Sequence, residues 1–559
     1  MNQTNKHSTT SRLKTFRFLP GMLIALVWLV MFIQPNRLQA QVLNNEGAYI
    51  SVAGGTHVQG DTLENTSGTI TNEGNISLNG HYINQGITQG NGLYNLKGNW
   101  LNTGTFNAGT STVYLWGDSI QNVLTGPDNF YNLRINNSGT SLATNRIILL
   151  SNVNVSNSLA IQQGNIEADT YILYLENPHP DSLKYTSATG SRVIGKFERG
   201  VDRAASYLFP VGSEENYNPL HLDLNEPPNT GSVLSEFVAA IPDSAGLPLP
   251  DAGYLDPADS VEVYRVDSAG YWSLTARNDF TIDDFDISMN GTGFSTPYQN
   301  VTRVIKRPEG GSWIVDGKHR DAQGAVIHRD NMAGISSTGN DFGWGHIRPR
   351  IQTQPADTAV CDGESAAFSV VATGRRPLFY EWQVLPTTGG GWQTITDDAT
   401  YANSDTDTLF IISADTSMNG YKYRVIITDS LGNFKRSNSQ ATLTVNPRPE
   451  VLAIPQMDTI CDGETTYIEF ETTVPGSSYE VEVLSHGVIT GATDESLAFG
   501  SALEQQLFNP SLSYDSVVYR IVPYGPNSTG CEGTADTVVI WVEPTVEIYA
   551  EDDTLCNGT

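Results

Sequence analysis

The sequence predicts an all-β protein built from several domains in series. Three observations carry this expectation. No segment sustains a helical periodicity, while short apolar/polar alternations separated by Gly, Asn and Pro clusters recur throughout. Near the N-terminus a pattern repeats at a shift of 18 residues with Asn-x-Gly corners. Near the C-terminus a Cys-Asp-Gly-Glu phrase occurs twice and returns as Cys-Asn-Gly, the cysteines 100 and then 95 residues apart. A length of 559 residues fits three to five domains better than one core.

Charge excludes one class of partner. The formal net charge is −30, and because the first 40 residues hold five bases and no acid, the remainder carries −35. Such a surface repels phosphate backbones, so no nucleic-acid partner is expected. Charged residues make up 16%, below the usual ~25%, with Asn, Thr, Ser and Gly supplying the polarity.

Residues 1–40 read as a signal peptide. Lys6, Arg12, Lys14 and Arg17 lead an apolar run over 18–33, and Leu38-Gln-Ala40 precedes Gln41 in the manner of a cleavage site. The alternative is an uncleaved anchor, but 16 apolar residues fall short of the ~20 that a spanning helix needs. The mature chain is therefore expected to be secreted and held at the cell surface. Export permits disulfides among its four cysteines.

Residues 42–194 form the Asn/Gly-rich region, expected to be β-solenoid-like. Laying Ile76-Ser-Leu-Asn-Gly-His-Tyr-Ile-Asn-Gln-Gly86 over Tyr94-Asn-Leu-Lys-Gly-Asn-Trp-Leu-Asn-Thr-Gly104 sets Leu78 on Leu96, Tyr82 on Trp100 and Asn84 on Asn102. One coil of a β-helix has this period, with apolar residues stacking inward and Asn or Gly taking the tight corners. Stacked Asn side chains can also hydrogen-bond from coil to coil. Residues 195–347 change to strands such as Val261-Glu-Val-Tyr-Arg-Val266 and read as a β-sandwich.

Thr112-Val-Tyr-Leu-Trp-Gly117-Asp-Ser-Ile-Gln121, followed by Phe130-Tyr-Asn-Leu-Arg-Ile-Asn-Asn137, resembles repeat units of large exported Bacteroidota surface proteins with an adhesin-like character. Phe209-Pro-Val-Gly212 with Tyr217-Asn-Pro-Leu220 is similar to a segment that follows such units. The resemblance implies β-rich repeats, type IX secretion and the corresponding secretion machinery as a partner.

Two units of about 100 residues follow, the size of an immunoglobulin-like (Ig-like) sandwich. Residues 348–446 resemble bacterial Ig-like domains: Trp382 suits the buried strand C position, and Tyr421 and Tyr423 suit the tyrosine corner and the strand F core. Phe368 with Tyr423 would replace the inter-sheet disulfide. Related units often carry a cysteine at the place of Val425, so Cys361 is expected to be a free thiol. Residues 447–544 resemble PKD-like domains, through Val518-Tyr-Arg-Ile-Val-Pro523, Gly530-Cys-Glu-Gly533 and Val538-Val-Ile-Trp-Val542. That resemblance implies a Cys461–Cys531 disulfide, which would stabilise by about 4 kcal/mol in the chain-entropy picture. Residues 545–559 open a further repeat at Asp553-Thr-Leu-Cys556-Asn-Gly558, and the unit is expected to continue beyond Thr559.

No catalytic residue or cofactor site emerges. Gly190-Ser-Arg-Val-Ile-Gly-Lys196 lacks the Ser or Thr of a P-loop, since Phe197 follows, and His328-Arg-Asp330 lacks the other kinase elements. Asp279, Asp283, Asp284 and Asp286 are weak calcium candidates, as are Asp397, Asp398, Asp405 and Asp407; the competing reading is solvated turns. Trp272, Trp313 and Trp344 are either sugar-stacking platforms or core residues. The expected function is non-enzymatic, an adhesive or structural head and stalk that meets an extracellular surface, glycan or matrix ligand. The alternative is a secreted carbohydrate-binding or carbohydrate-active protein with accessory Ig-like domains.

Overall fold

The computed structural model describes residues 42–251, 261–294, 302–430, 432–437, 441–526 and 530–545. The expected signal peptide, and all of the further repeat past Thr545, lie outside the described residues. The described chain is all-β, with short 3-10 turns and no α-helix. It divides into two compact units, Met1–Arg348 and Pro349–Thr559.

The first unit begins as a parallel β-solenoid. Its register is the one the 18-residue shift predicts: Tyr82 lies beside Trp100, Ile83 beside Leu101 and Asn84 beside Asn102, while Ile76 faces Tyr94 and Leu78 faces Leu96. Alternation then sends Leu78, Tyr82, Leu96, Trp100, Val113 and Leu115 inward, all buried. Tyr82 stacks on Trp100 with centroids 4.3 Å apart, and Phe106 and Phe130 meet the same indole edge-on.

One corner is held by an asparagine ladder. Asn45 donates to Asn65 at 2.9 Å, Asn65 to Asn84 at 2.7 Å, Asn84 to Asn102 at 2.7 Å, and Asn102 to Asp128 at 2.9 Å. Each amide is fully buried and satisfied by the next coil, so the ladder acts as a polar spine. At another corner the coils approach so closely that a Cβ on Gly98 would collide with the Gly80 carbonyl. The Gly117/Gln121 motif caps a later corner in a similar way. Buried Gln121 donates to the carbonyls of Leu96 and Gly98, and its own carbonyl accepts from the Gly117 amide and from Asn137.

The boundary expected between 194 and 195 falls inside strand Val193–Val201. That strand pairs in parallel with the last coil, Asn165–Leu175, on one edge, and antiparallel with Gly231–Val238 on the other. From there the same sheet continues through Tyr271–Arg277, Asn340–Arg348 and Thr302–Pro308. A second sheet, ordered Ser206–Phe209, Leu220–Leu224, Asp284–Asn290, Val326–Ala333 and Lys318–Gln323, completes the sandwich. One hydrophobic core runs unbroken from the solenoid into this sandwich.

The second unit contains two sandwiches, each with its own core. The first places Phe379–Leu385 against Lys422–Thr428, with Trp382 beside Val425, and joins Thr358–Cys361 in parallel to Ala441–Asn446. Its facing sheet is Ala366–Ser369, Thr408–Ile411 and Tyr401–Ala402. Trp382 is fully buried and donates to the Thr406 carbonyl at 2.9 Å. Phe368 and Tyr423 stack across the two sheets at 4.6 Å, where a disulfide would otherwise sit. Tyr421 is only half-buried at the rim of this core. The second sandwich repeats the parallel joint with Met457–Ile460 on Asp536–Val542, followed by Asp515–Tyr524, Ser478–Ser485 and Glu495–Leu497.

The cysteine pairing differs from expectation. Cys531 is bonded to Cys361, not to Cys461, across a sequence separation of 170 residues. Cys461 is an exposed free thiol, and Cys361 is not one. The reason is positional. Cys361 ends its strand at the joint with the next sandwich, facing the hairpin that carries Cys531, whereas Cys461 directly follows the equivalent strand, Met457–Ile460, at the opposite end of its own sandwich. The bond therefore links two domains rather than closing one.

Candidate binding groove

The solenoid carries a polar groove of about 950 Å³ on the outer face of one parallel sheet. Its floor comes from strands Thr112–Leu115, Phe130–Asn136, Val153–Gln163 and Leu183–Tyr185, paired in that order. Because side chains alternate, Val113, Leu133, Ile135, Leu159 and Ile161 point into the core and the intervening residues form the groove. One row across the strands reads Tyr114, Arg134, Ala160, Lys184. Ala160 is the small member, so the floor dips between the two cations.

A second row is held rigid by its own hydrogen bonds. Asn132 accepts from Asn157 at 2.8 Å and from Ser158 at 2.7 Å, and donates to Thr112 at 3.2 Å. Asn136 donates to the Tyr114 hydroxyl at 3.0 Å. The loop after Leu175 forms a wall with His179 and Asp181, pinned where Asn177 donates to the Asn157 carbonyl at 3.0 Å. Tyr185, opposite the inward Ile161, lies at the edge of the groove with its ring packed against the core and stacked on Tyr217. Burial pushes the Tyr185 phenol above the ordinary tyrosine range, so it stays protonated and donates to the Ser191 carbonyl.

Electrostatically the groove runs against the rest of the chain. The Arg134 guanidinium lies over the Tyr114 ring at 4.7 Å. Among the described residues neither Arg134 nor Lys184 forms an ion pair or hydrogen bond, and both are exposed. Two unpaired cations on a floor of amides and hydroxyls, against the single Asp181 carboxylate and His179 on the wall, suit a hydroxyl-rich ligand that carries negative charge. A ligand held this way would lie along a rigid sheet.

The residues singled out from sequence occupy other places. Trp272, Trp313 and Trp344 are fully buried core residues, not exposed platforms. Trp272 donates to the Asn218 carbonyl at 2.8 Å and Trp313 to the Asp243 carbonyl at 2.7 Å. Asp279, Asp283, Asp284 and Asp286 are not gathered into one site. Asp286 accepts from the Asn331 amide at 2.8 Å and from Asn225 at 3.0 Å, and Asp284 accepts from the Asn331 side chain at 2.9 Å. Asp397 and Asp398 accept backbone amides within their own turn. Among the described residues no three His, Cys, Asp or Glu are placed to hold a metal ion. The groove residues were missed because they come from four different coils. Arg134 and Lys184 are separated by a strand, and only the register brings them into one row.

The parallel joint, the facing strands and the Cys531 hairpin of the last sandwich point to one kind of module. Residues 458–546 match the family model of the PKD-like domain. This PKD-like domain and the Ig-like domain before it are of types common in cell-surface adhesion proteins and typically non-catalytic. Together with a disulfide they are consistent with an extracellular protein. No curated protein matches the chain.

Solved structures with some likeness include titin domains Z1Z2 in complex with telethonin, 18% identical over 36% of this chain and 98% of that one, TM-score 0.17. The four N-terminal Ig domains of Dscam1 isoform 1.9 are 12% identical over 57% of this chain and 92% of that one, TM-score 0.21. The N-terminal Ig1-2 module of the Drosophila receptor protein tyrosine phosphatase DLAR is 16% identical over 36% and 100%, TM-score 0.15. With scores this low, the Ig-like assignment rests on the strand pairing described above, and the PKD-like one on the family match as well. Among the described residues no helix is long and apolar enough to cross a membrane.

Proposed function

We propose that the chain is an exported, non-catalytic adhesion protein of the cell surface, whose solenoid groove binds an extended acidic glycan. The observation that carries this reading is the row Tyr114, Arg134, Ala160, Lys184: two unpaired cations set on a polar floor in a protein of net charge −30. Export rests on the basic and apolar pattern of residues 1–40. Membership among Bacteroidota surface proteins, with type IX secretion, rests on the resemblance of residues 112–137. The Ig-like and PKD-like domains would act as spacers, and weak glycan contacts repeated over many surface copies would give avidity.

The test is retention of the mature chain on a panel of neutral and acidic glycans. Acidic glycans should be retained, with binding falling as salt rises through 0.5 M. Arg134→Ala combined with Lys184→Ala should abolish retention without changing the circular dichroism. Equal retention by that double variant would overturn the groove as the site. Release of reducing ends from any of the glycans would favour the carbohydrate-active alternative.

A further inference from the structure

The solenoid has few cations, and the unpaired ones share a face. Residues 42–184 contain four Lys or Arg: Lys97, Arg134, Arg146 and Lys184. Arg146 is paired, with Glu167 at 2.7 Å and with Glu214 at 3.3 Å. Among the described residues Lys97, like Arg134 and Lys184, forms no ion pair or hydrogen bond, and its ammonium lies over the Trp116 ring at 4.4 Å. Leu96 pairs with Leu115, and the Trp116 amide donates to the Leu96 carbonyl at 2.9 Å, so Lys97 and Trp116 come next in register. Leu96 and Leu115 are buried, and alternation turns Lys97 and Trp116 to the outer face with Asn95 and Tyr114. The face that floors the groove thus continues past it to Lys97.

Five rungs of one parallel ladder cross this face: Leu93–Leu96, Thr112–Leu115, Phe130–Asn136, Val153–Gln163 and Leu183–Tyr185. Lys97 stands at the end of the first, Tyr114 and Trp116 on the second, Arg134 on the third, Ala160 on the fourth and Lys184 on the fifth. The ring contacts place the head groups. Arg134 lies 4.7 Å from the Tyr114 ring and Lys97 4.4 Å from that of Trp116, close to the ~4.8 Å between rungs. Each cation therefore stays on its own rung beside the aromatic of the next. Charge falls on every second rung, ~9.6 Å apart, with an aromatic pair and then an alanine between. Lys97 lies two residues further along its strand than Arg134 does, so the line of cations is slightly oblique. The rows Leu93, Thr112, Asn132, Ser158 and Asn95, Tyr114, Arg134, Ala160, Lys184 carry no carboxylate, and Asp181 stands on the wall.

We propose that this face is built for a glycan that carries its acids on alternate sugars, laid across the strands so that successive acids meet Lys97, Arg134 and Lys184. The proposal rests on the acidic-glycan reading of the groove and adds a charge period to it. An extended chain of β-linked pyranoses advances by close to one rung of the ladder per sugar. An acid on each second sugar then keeps step with the cations. The sugars between lie over Tyr114 and Trp116 on one rung and over the dip at Ala160 on another. A chain with an acid on every sugar would set half of them on rungs without a cation, where they lose hydration and gain no ion contact.

The experiment is titration calorimetry of the mature chain with three hexasaccharides: hyaluronan, with a carboxylate on each second sugar, oligogalacturonate, with one on every sugar, and neutral chitohexaose. A hyaluronan tetrasaccharide, with two carboxylates, completes the set. The hyaluronan hexasaccharide should bind most tightly, about three- to fivefold tighter than the tetrasaccharide, the scale of one partly exposed ion contact. Lys97→Met, which keeps the stem against Trp116 and removes the charge, should bring the hexasaccharide down to the tetrasaccharide affinity without changing the circular dichroism. Equal or tighter binding of oligogalacturonate, or an unchanged hexasaccharide affinity in Lys97→Met, would overturn the charge period; the groove would survive as an acidic-glycan site if Arg134→Ala with Lys184→Ala still abolished binding. Failure of both acidic hexasaccharides to bind, or binding indifferent to that double variant, would overturn both readings.

Discussion

The solenoid and the tandem sandwiches both string repeats along a chain, yet they join them differently. In the solenoid the joint is the structure: strand ladders, an asparagine spine and a shared aromatic stack belong to neighbouring coils at once. No coil has a core of its own. In the sandwiches each repeat closes its own core, and the joint adds one disulfide and one arginine clasp. Damage should therefore spread in the first region and stay local in the second.

The sharpest way to break this contrast is Trp100→Ala. Removing a fully buried indole stacked on Tyr82 should cost about 3 to 5 kcal/mol. Hydrogen exchange should then accelerate in coils on both sides, from residue 62 to 149. Protection lost only at residues 96–104 would show that the coils fold independently. Phe368→Ala, which empties the stack on Tyr423, should cost about 3 kcal/mol. Here exchange should rise within residues 350–446 while the PKD-like domain keeps its protection; parallel loss in both sandwiches would make the joint a shared core.

Asn84→Ala tests the spine alone. It strands the Asn65 donor and the Asn102 acceptor in a buried corner, for about 2 kcal/mol. A smaller midpoint shift in urea than for Thr103→Ala, on the surface nearby, would mean that the ladder is decorative. The weakest effect should come from Arg448→Ala. Its ion pair with Glu364 is half-exposed, so the loss should stay under about 1 kcal/mol, read as a change in melting temperature with the disulfide intact.

The solenoid register was legible because successive corners repeat the same Asn and Gly at the same interval. Asn84 and Asn102, 18 residues apart, are hydrogen-bonded neighbours. Later coils lengthen: Thr125 meets Ser151, 26 residues on. With the interval lost, nothing in the sequence aligns Arg134 with Lys184, and the groove stayed hidden. The cores of the two C-terminal sandwiches were legible through Trp382, Phe368 and Tyr423, whose spacing suits facing strands. The disulfide was not. Cys461 and Cys531 share a domain in sequence, but which end of a sandwich each one occupies depends on strand direction, and that appears only once the parallel joints at Cys361 and Ile460 are known.

Strand Val193–Val201 has a consequence of its own. A stack of parallel strands ends in a row of open amides and carbonyls that will accept strands from any neighbouring molecule. Here the final rung is occupied on its other side by Gly231–Val238 running in the opposite direction. Along Phe197–Val201 a neighbouring molecule is thereby denied a template, and the repeat passes into the sandwich without an open ladder on that rung.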